Sequence, residues 1–399
     1  MKKVVVVGAG AGGGLVAGKL RSKTERDEVE ITVIDSYGIT EFQPSYPMIS
    51  IGLKKPSEIG VKFENFSKTG IKPLKANALS VNGDERIVKT DKGDVSYDVL
   101  VLSPGAKIEN DKFPRSNNIG HFWDMENSLE LKKKLMSIKE GKIVIGVSSK
   151  VYKCPPVPWE MAMLLNDMYT NMGIRNKIEI KVVHWASKPM AMFGPVISDP
   201  VTDWIGEANI EGNYGFDVEK IDAENKKIIS TKGDEESFDL AIVAPPHTVP
   251  DFIKNSEGLL SDKGWLDANA TNFRPKKYDD IYSLGDAIAP TLGLGMAGVF
   301  AHFQADSVVS FVLNDIEGIY PAFPYNKVGL CVSDMGSTGW ISYCDFAGVM
   351  KNKNIPFPDC GVLGSGLLFK LAHSVYEKYF LGAIYGGWIR SVTPRNEGT

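Results

Sequence analysis

The sequence contains few of the residues that build metal sites and disulfide frameworks. Its 399 residues include only four cysteines, Cys154, Cys331, Cys344 and Cys360, and five histidines. The cysteines are widely scattered, and no two of them have a Cys-x-x-Cys or zinc-like spacing. We therefore predict neither a disulfide framework nor a metal site.

Long apolar runs and long runs of like charge are also missing. No stretch approaches the roughly 20 consecutive apolar residues that span a bilayer, so we expect any membrane association to be peripheral. The N-terminus leads directly into a strand-like segment without the pattern of a secretory signal, which favours the cytoplasmic side. The 45 basic and 49 acidic residues give a net charge of −4 without a basic cluster, so nucleic acid is not an expected partner.

Candidate strands alternate with helical or loop-rich segments along the chain. The first, at residues 3–8, is a β-branched run typical of a parallel strand that is buried on both faces. Further candidates lie at residues 31–34, 97–102, 142–147, 178–184, 238–243 and 281–283. This alternation predicts an α/β fold with mostly parallel sheets, and a chain of this length exceeds one ordinary core. We expect two Rossmann-like dinucleotide-binding domains in tandem, followed by a helical C-terminal region.

A glycine-rich turn follows the first strand. Gly8, Gly10 and Gly13 fit the Gly-x-Gly-x-x-Gly pattern at the start of an expected helix. Asp35 follows the next strand, 22 residues after Gly13. In this pattern the backbone at the second glycine approaches a pyrophosphate, and the acidic residue accepts hydrogen bonds from ribose hydroxyls. The context therefore predicts a dinucleotide site.

The strand at residues 142–147 lacks a second fingerprint of this kind. It is followed by Ser-Ser-Lys-Val-Tyr-Lys-Cys-Pro-Pro, in which lysine and proline replace the small residues that a pyrophosphate needs. We expect poor nicotinamide binding there. Cys154 precedes a helix that should begin near Pro158, and the helix N-terminus and Lys153 are expected to stabilise its thiolate. The alternative is a small buried thiol.

Several segments carry a resemblance to a known family. Residues 152–160, Tyr-Lys-Cys-Pro-Pro-Val-Pro-Trp-Glu, resemble the signature of sulfide:quinone oxidoreductases and of the flavoprotein subunit of flavocytochrome c sulfide dehydrogenase. Residues 238–247 and 376–380 are similar to further segments of that family. Residues 97–106 and 281–287 resemble the cofactor-contacting segments of the wider FAD-dependent pyridine-nucleotide-disulfide oxidoreductase superfamily.

The resemblance implies FAD as the cofactor and a division of the chain around it. It implies an FAD-binding domain made of residues 1–110 and 255–320, a second Rossmann-like domain at 111–254, and a C-terminal region at 321–399. The cysteine that forms a thioether with FAD in some relatives has no counterpart before Cys154, so FAD is expected to bind non-covalently. The implied FAD contacts are Gly8, Gly10, Gly13, Asp35, Ser103, Gly105, Gly285, Asp286, Gly298 and Val299.

The resemblance also implies a mechanism. Cys154 and Cys331 would approach each other and oxidise sulfide to sulfane sulfur or polysulfide as a redox pair. Glu160 is a candidate general base, or else a glutamate that complements a helix dipole. A structural or incidental role is expected for Cys344 and Cys360. The expected acceptor is a membrane quinone; the alternatives are a cytochrome, a type II NADH:quinone oxidoreductase activity, or an FAD redox sensor without turnover.

Residues 366–390 are rich in apolar and aromatic side chains. They predict an interfacial amphipathic helix, with Lys370, Lys378 and Arg390 at the lipid headgroups. The alternative is a helix packed on the protein's own core or on a second copy in a homo-oligomer. The candidate walls of a quinone pocket are Phe357, Tyr379, Phe380 and Trp388.

Overall fold

A computed structural model describes residues 1–318 and 321–384 of the chain. Its first part contains β1 (Lys2–Val7), α1 (Ala11–Lys23), β2 (Val29–Asp35), β3 (Ile39–Glu41), α2 (Tyr46–Ser50), β4 (Gly60–Lys62), α3 (Phe66–Thr69), β5 (Lys72–Lys75), β6 (Ala78–Asn82), β7 (Ile87–Thr90), β8 (Gly93–Ser96) and β9 (Val99–Leu102). The next part contains β10 (Lys107–Ile108), β11 (Ile119–Gly120), α4 (Met125–Ser137), β12 (Gly141–Val147), α5 (Val157–Asn171), β13 (Ile178–His184), α6 (Pro195–Glu207), β14 (Glu211–Tyr214), β15 (Val218–Asp222), β16 (Lys227–Ser230), β17 (Glu235–Ser237), β18 (Leu240–Ala244), β19 (His247–Thr248) and α7 (Asp251–Lys254). The last part contains β20 (Ile281–Ser283), α8 (Ala289–Leu292), α9 (Gly298–Glu317), β21 (Val328–Asp334), β22 (Gly339–Asp345), α10 (Ala347–Lys351), β23 (Asp359–Gly366) and α11 (Leu367–Ile384).

The first large sheet is parallel and joins strands from both ends of the chain. Its order is β20-β9-β1-β2-β5. Val7, at the end of β1, pairs with Ile34 of β2 and with Leu102 of β9, which in turn pairs with Ser283 of β20. These strands are buried on both faces, as their apolar runs predict. Their carboxyl ends therefore meet at one edge, where ligands bind in open α/β sheets.

A second five-stranded parallel sheet has the order β11-β18-β12-β13-β14. Its central strand, β12, pairs with β18 on one side and β13 on the other. The predicted α/β fold with parallel sheets is thus confirmed.

The C-terminal region was expected to be helical, but a three-stranded antiparallel sheet, β21-β22-β23, precedes α11. Cys344 of β22 and Cys360 of β23 are cross-strand partners and form a disulfide, which their spacing in the sequence did not predict. The sheet lacks long apolar runs, because Gly and Ser alternate with larger residues along it. The pattern of apolar residues alone therefore does not predict this sheet.

Helix α11 packs on the first domain. A Cβ atom at Gly18 of α1 would lie 2.4 Å from the carbonyl oxygen of Ile384, so only glycine permits this approach. A buried ion pair between Glu377 and Lys54, 2.5 Å apart, fixes the helix at a second point, and Ser45 donates to the same carboxylate. No helix within the described residues has the length and hydropathy needed to cross a membrane.

Candidate active site

The glycine turn after β1 presents an open helix terminus. Gly10 is the N-cap of α1 and has no side-chain capping bond, and a Cβ atom built on it would meet no atom within 4 Å. Asp35 accepts hydrogen bonds from the amides of Ala9 and Tyr37, both at 2.7 Å. Burial is the main cause that raises the pKa of the Asp35 carboxyl. Unused backbone N–H groups beside a fixed, partly buried carboxylate fit a pyrophosphate with its ribose.

The other predicted cofactor contacts converge on the same edge of the sheet. Gly8 has a positive φ of 101°, and a Cβ atom there would lie 2.2 Å from the carbonyl oxygen of Ser103. Gly285 donates its amide to Gln304 of α9 at 2.7 Å, so that helix is tied to the turn after β20. Burial raises the pKa of Asp286, and the charge of Lys153 opposes that shift. A buried carboxyl of this kind suits a ligand chain that carries hydroxyl groups.

Two more predicted contacts, Gly298 and Val299, begin α9, whose N-cap also lacks a side-chain bond. Gly105 has a positive φ of 70° in the loop after β9, with no atom within 4 Å of the position of a Cβ. All the predicted cofactor residues thus lie at strand ends or helix starts that the topology brings together. The residues present fit a dinucleotide with an extended hydroxyl-bearing chain.

Cys154 lies in a loop that is tied to the start of α9. Its amide donates to the carbonyl oxygen of Met296 at 2.7 Å, two residues before that helix. Trp123 holds the preceding residue by donating Nε1 to the carbonyl oxygen of Lys153 at 3.0 Å. The backbone of Cys154 has φ of 59°, a left-handed conformation that is uncommon for a residue other than glycine. Such strain persists where the surrounding structure fixes a functional group.

Cys331 lies in the middle of β21, a strand that packs on the first turn of α9. Phe300, in the first turn of α9, packs against Gly329, two residues before Cys331 on the same face of the strand. The Cys331 sulfur lies 3.3 Å from the Ser333 hydroxyl. Cys154 and Cys331 are both free thiols. They are close enough for the charge of one to raise the pKa of the other.

The prediction that Cys154 is held as a thiolate is wrong. Burial raises its pKa well above the usual value, and the charges of Glu160, Cys331 and Asp286 act in the same direction. The amide of Val157, which begins α5, lowers the pKa as a helix N-terminus should, but this effect is smaller. The ammonium group of Lys153 instead donates to Gln43 at 3.2 Å. The cysteine therefore needs a base.

Glu160 is a buried carboxyl group whose charge acts on both cysteines. It lies in the first turn of α5 with 5% of its surface exposed, and Oε1 accepts a hydrogen bond from the amide of Asp334 at 3.1 Å. Burial is the main cause that raises its pKa to about 8; the Asp334 amide lowers the pKa and the Asp334 carboxylate raises it. Burial likewise raises the pKa of Cys331 to about 11, with a further increase from Glu160. One carboxyl thus acts electrostatically on both thiols.

The carboxyl edge of the second sheet is filled by aromatic rings. His184 ends β13 with no exposed surface, and its Nε2 lies 3.1 Å from the hydroxyl of Tyr152. The ring of Trp159 packs on His184 with centroids 4.7 Å apart. These side chains occupy the strand ends at which a nucleotide would bind, which opposes a nicotinamide site at this edge.

The four aromatic residues predicted for a quinone pocket have different surroundings. Phe380 of α11 is 3% exposed and packs on Phe42, with ring centroids 5.2 Å apart. Tyr379 and Phe357 are partly exposed. Trp388 lies outside the described residues, as does the predicted headgroup anchor Arg390.

Another predicted headgroup anchor, Lys370, has a different environment from the one expected. It donates to the carbonyl oxygen of Gly336 and lies 3.8 Å from the Asp334 carboxylate. Asp334 was missed by sequence reasoning, since Cys-Val-Ser-Asp carries no signal that its last residue contacts a glutamate 174 positions earlier.

Across residues 1–318 and 321–384, no group of three His, Cys, Asp or Glu side chains could hold a metal ion.

Comparison with known proteins identifies a family and several similar proteins. Residues 2–305 match the family described as pyridine nucleotide-disulphide oxidoreductase. The chain is 25% identical to the sulfide-quinone reductase of Aquifex aeolicus, over 97% of this chain and 92% of that protein. It is 23% identical to the mitochondrial sulfide:quinone oxidoreductase of Mus musculus, over 71% of this chain but only 65% of the mouse protein's length. The X-ray structure of the Aquifex aeolicus sulfide:quinone oxidoreductase shares the fold, with a TM-score of 0.84 at 23% identity over 97% and 92% of the two chains.

Proposed function

The chain belongs to the pyridine nucleotide-disulphide oxidoreductase family, and we propose that it oxidises sulfide at Cys154 and Cys331 and passes the electrons to a membrane quinone. With sulfide:quinone oxidoreductases among its homologues, it is an FAD-binding oxidoreductase. The proposal is supported most by two free thiols, Cys154 and Cys331, that interact electrostatically with each other and with the buried carboxyl group of Glu160. The site combines nucleophiles with a base and lies next to the cofactor residues.

FAD, when bound, supplies a two-electron carrier between the sulfur chemistry and the acceptor. Gly8, Gly10 and Gly13 would hold its pyrophosphate at the open end of α1. Asp35 would bind its ribose, and Asp286 would bind the hydroxyl-bearing chain. The residues at the start of α9 would complete the site. No cysteine precedes Cys154, so attachment stays non-covalent.

The two cysteines act by thiol–disulfide exchange. In the oxidised form they share a disulfide, and hydrosulfide attacks one of its sulfurs. A new sulfur–sulfur bond forms, the Cys154–Cys331 bond breaks, one cysteine becomes a persulfide and the other leaves as a thiolate. The fixed loop of Cys154 and the middle of β21 hold the two sulfurs for this exchange. Cys344 and Cys360 keep a structural role in the β22–β23 pair.

Glu160 supplies and removes the proton for this chemistry. A thiol is a poor nucleophile until it is deprotonated. Because burial raises the pKa of Glu160 to about 8, its carboxylate is basic enough to take a proton from hydrogen sulfide near neutral pH.

The proposed membrane surface is the exposed face of α11. Its apolar side chains are unusually open to solvent, with Leu367 67%, Leu368 79%, Leu371 55% and Val375 67% exposed. A row of large apolar side chains on one helix face suits insertion into the lipid interface. Peripheral attachment there would bring the buried end of α11, with Phe380, close to a lipid-soluble quinone. Tyr379 and Phe357 stay candidates for the pocket walls.

Among the alternatives, a cytochrome acceptor shares the same sulfur chemistry. NADH is disfavoured because aromatic rings fill the edge of the second sheet. Anaerobic titration of the FAD-loaded protein with sulfide tests the proposal, followed by separate additions of a short-chain quinone and a cytochrome. We expect sulfide to bleach the flavin and the quinone to restore it. Bleaching by NADH alone would favour the NADH enzyme, and a flavin that sulfide leaves unchanged would favour a sensor.

A further inference from the structure

We propose that Asp334 is a positioning residue for Glu160: its backbone amide holds the carboxyl group of Glu160, and its carboxylate, next to Lys370, sets how tightly Glu160 keeps a proton. This rests on the proposed function, in which Glu160 takes up a proton during sulfide oxidation. A buried base that accepts a proton in every turnover must also release it. The strength with which it holds that proton therefore affects the reaction.

The backbone of Asp334 fixes the position of Glu160. Its amide donates to Glu160 Oε1 at 3.1 Å. Asp334 is the last residue of β21, the strand that carries Cys331. One strand therefore supplies both a thiol and the group that aims the base.

The side chain of Asp334 contacts Gly336 and Lys370. Its Oδ1 accepts a hydrogen bond from the amide of Gly336 at 3.0 Å and lies 3.8 Å from Lys370 Nζ. Glu160 and Asp334 are both buried, with 5% and 7% of their surfaces exposed, whereas the side chain of Lys370 is 31% exposed. Lys370 also donates to the carbonyl oxygen of Gly336, so the ammonium group is fixed in place.

Charged groups from three other elements face Asp334. Lys370 of α11 and Lys54, which follows α2, favour its ionised form, whereas Asp167 of α5 and burial oppose it. The Asp334 carboxylate is the charge that raises the pKa of Glu160, after burial. The charge of Glu160 also acts on the thiols of Cys154 and Cys331. Removing the charge of Asp334 should therefore weaken the hold of Glu160 on its proton.

Asp334→Asn tests this in the FAD-loaded protein, because asparagine keeps the backbone amide and an acceptor for Gly336. The first readout is an infrared pH titration of the protonated carboxyl band that disappears in Glu160→Gln. We expect its midpoint, about 8 in the wild type, to fall by roughly one pH unit. The rising limb of the pH profile for flavin reduction by sulfide should shift to lower pH by the same amount. Asp359→Asn, on the exposed start of β23, is the matched control and should move neither midpoint.

Lys370→Gln should shift both midpoints upward, opposite to Asp334→Asn, because it removes a positive charge that favours ionised carboxyl groups, and Lys370→Arg should restore them. This pair also keeps the test decisive if Asp334→Asn does not bind FAD. Unchanged infrared midpoints in Asp334→Asn and Lys370→Gln would overturn the proposal. If sulfide does not reduce the wild-type flavin, the proposed function fails, while the infrared titration still decides the role of Asp334.

Discussion

Replacing Glu160 with glutamine should remove a pH-dependent loss of stability. Burial raises the pKa of this carboxyl from 4.5 to about 8, so between these values the folded chain keeps a proton that the unfolded chain has released. The folded state binds more protons there, and its stability falls as the pH rises. Each pH unit costs about 1.4 kcal/mol, so from pH 5.5 to pH 8 the wild type should lose about 3 kcal/mol through this group.

Urea unfolding of the wild type and Glu160→Gln, at one fixed FAD concentration, measures this difference. Glutamine retains the oxygen that accepts from the Asp334 amide, and the other titrating groups cancel between the two proteins. The free energy of unfolding of the variant, minus that of the wild type, should increase by about 3 kcal/mol from pH 5.5 to pH 8 and then level off. If the difference in the free energy of unfolding does not change with pH, Glu160 is not a neutral buried carboxyl group in the folded chain.

Three further outcomes follow from the structure. Replacing Cys344 and Cys360 together by serine opens a 16-residue loop and should lower the free energy of unfolding by about 3 kcal/mol. Sulfide should still reduce the flavin in this variant, and loss of that reduction would mean that the Cys344–Cys360 disulfide has a redox role. Asp35→Ala should lower the flavin-to-protein ratio after gel filtration, and an unchanged ratio would exclude a ribose contact. Leu371→Glu should reduce co-flotation with anionic liposomes, whereas Leu79→Glu, at a similarly exposed position on β6, should not. Equal flotation of the two variants would refute the proposal that α11 binds the membrane.

The parallel sheets could be predicted because their strands are buried on both faces. The apolar runs at residues 178–184 and 281–283 have the same bounds as β13 and β20. The glycine turn and Asp35 were also predictable, since their pattern is tied to a strand, a turn and a helix that follow one another in sequence. The domain boundaries stay a prediction.

The remaining features depend on packing between distant segments. The thiolate expected at Cys154 followed from two local signals, the helix N-terminus and Lys153. The structure adds burial and the charge of Glu160, which outweigh them. The β21–β23 sheet has weak apolar alternation, and its strands are defined by pairing with one another. Asp334 contacts Glu160 only because β21 is placed against α5.

The central claim is that sulfide is oxidised by Cys154 and Cys331. Stopped-flow measurement of flavin reduction by sulfide under anaerobic conditions tests it directly, in Cys154→Ser, Cys331→Ser and the Cys344→Ser/Cys360→Ser control. The account predicts that all three proteins bind FAD, that both single variants lose sulfide-dependent reduction, and that the control reduces at the wild-type rate. Reduction at the wild-type rate in either single variant would contradict it.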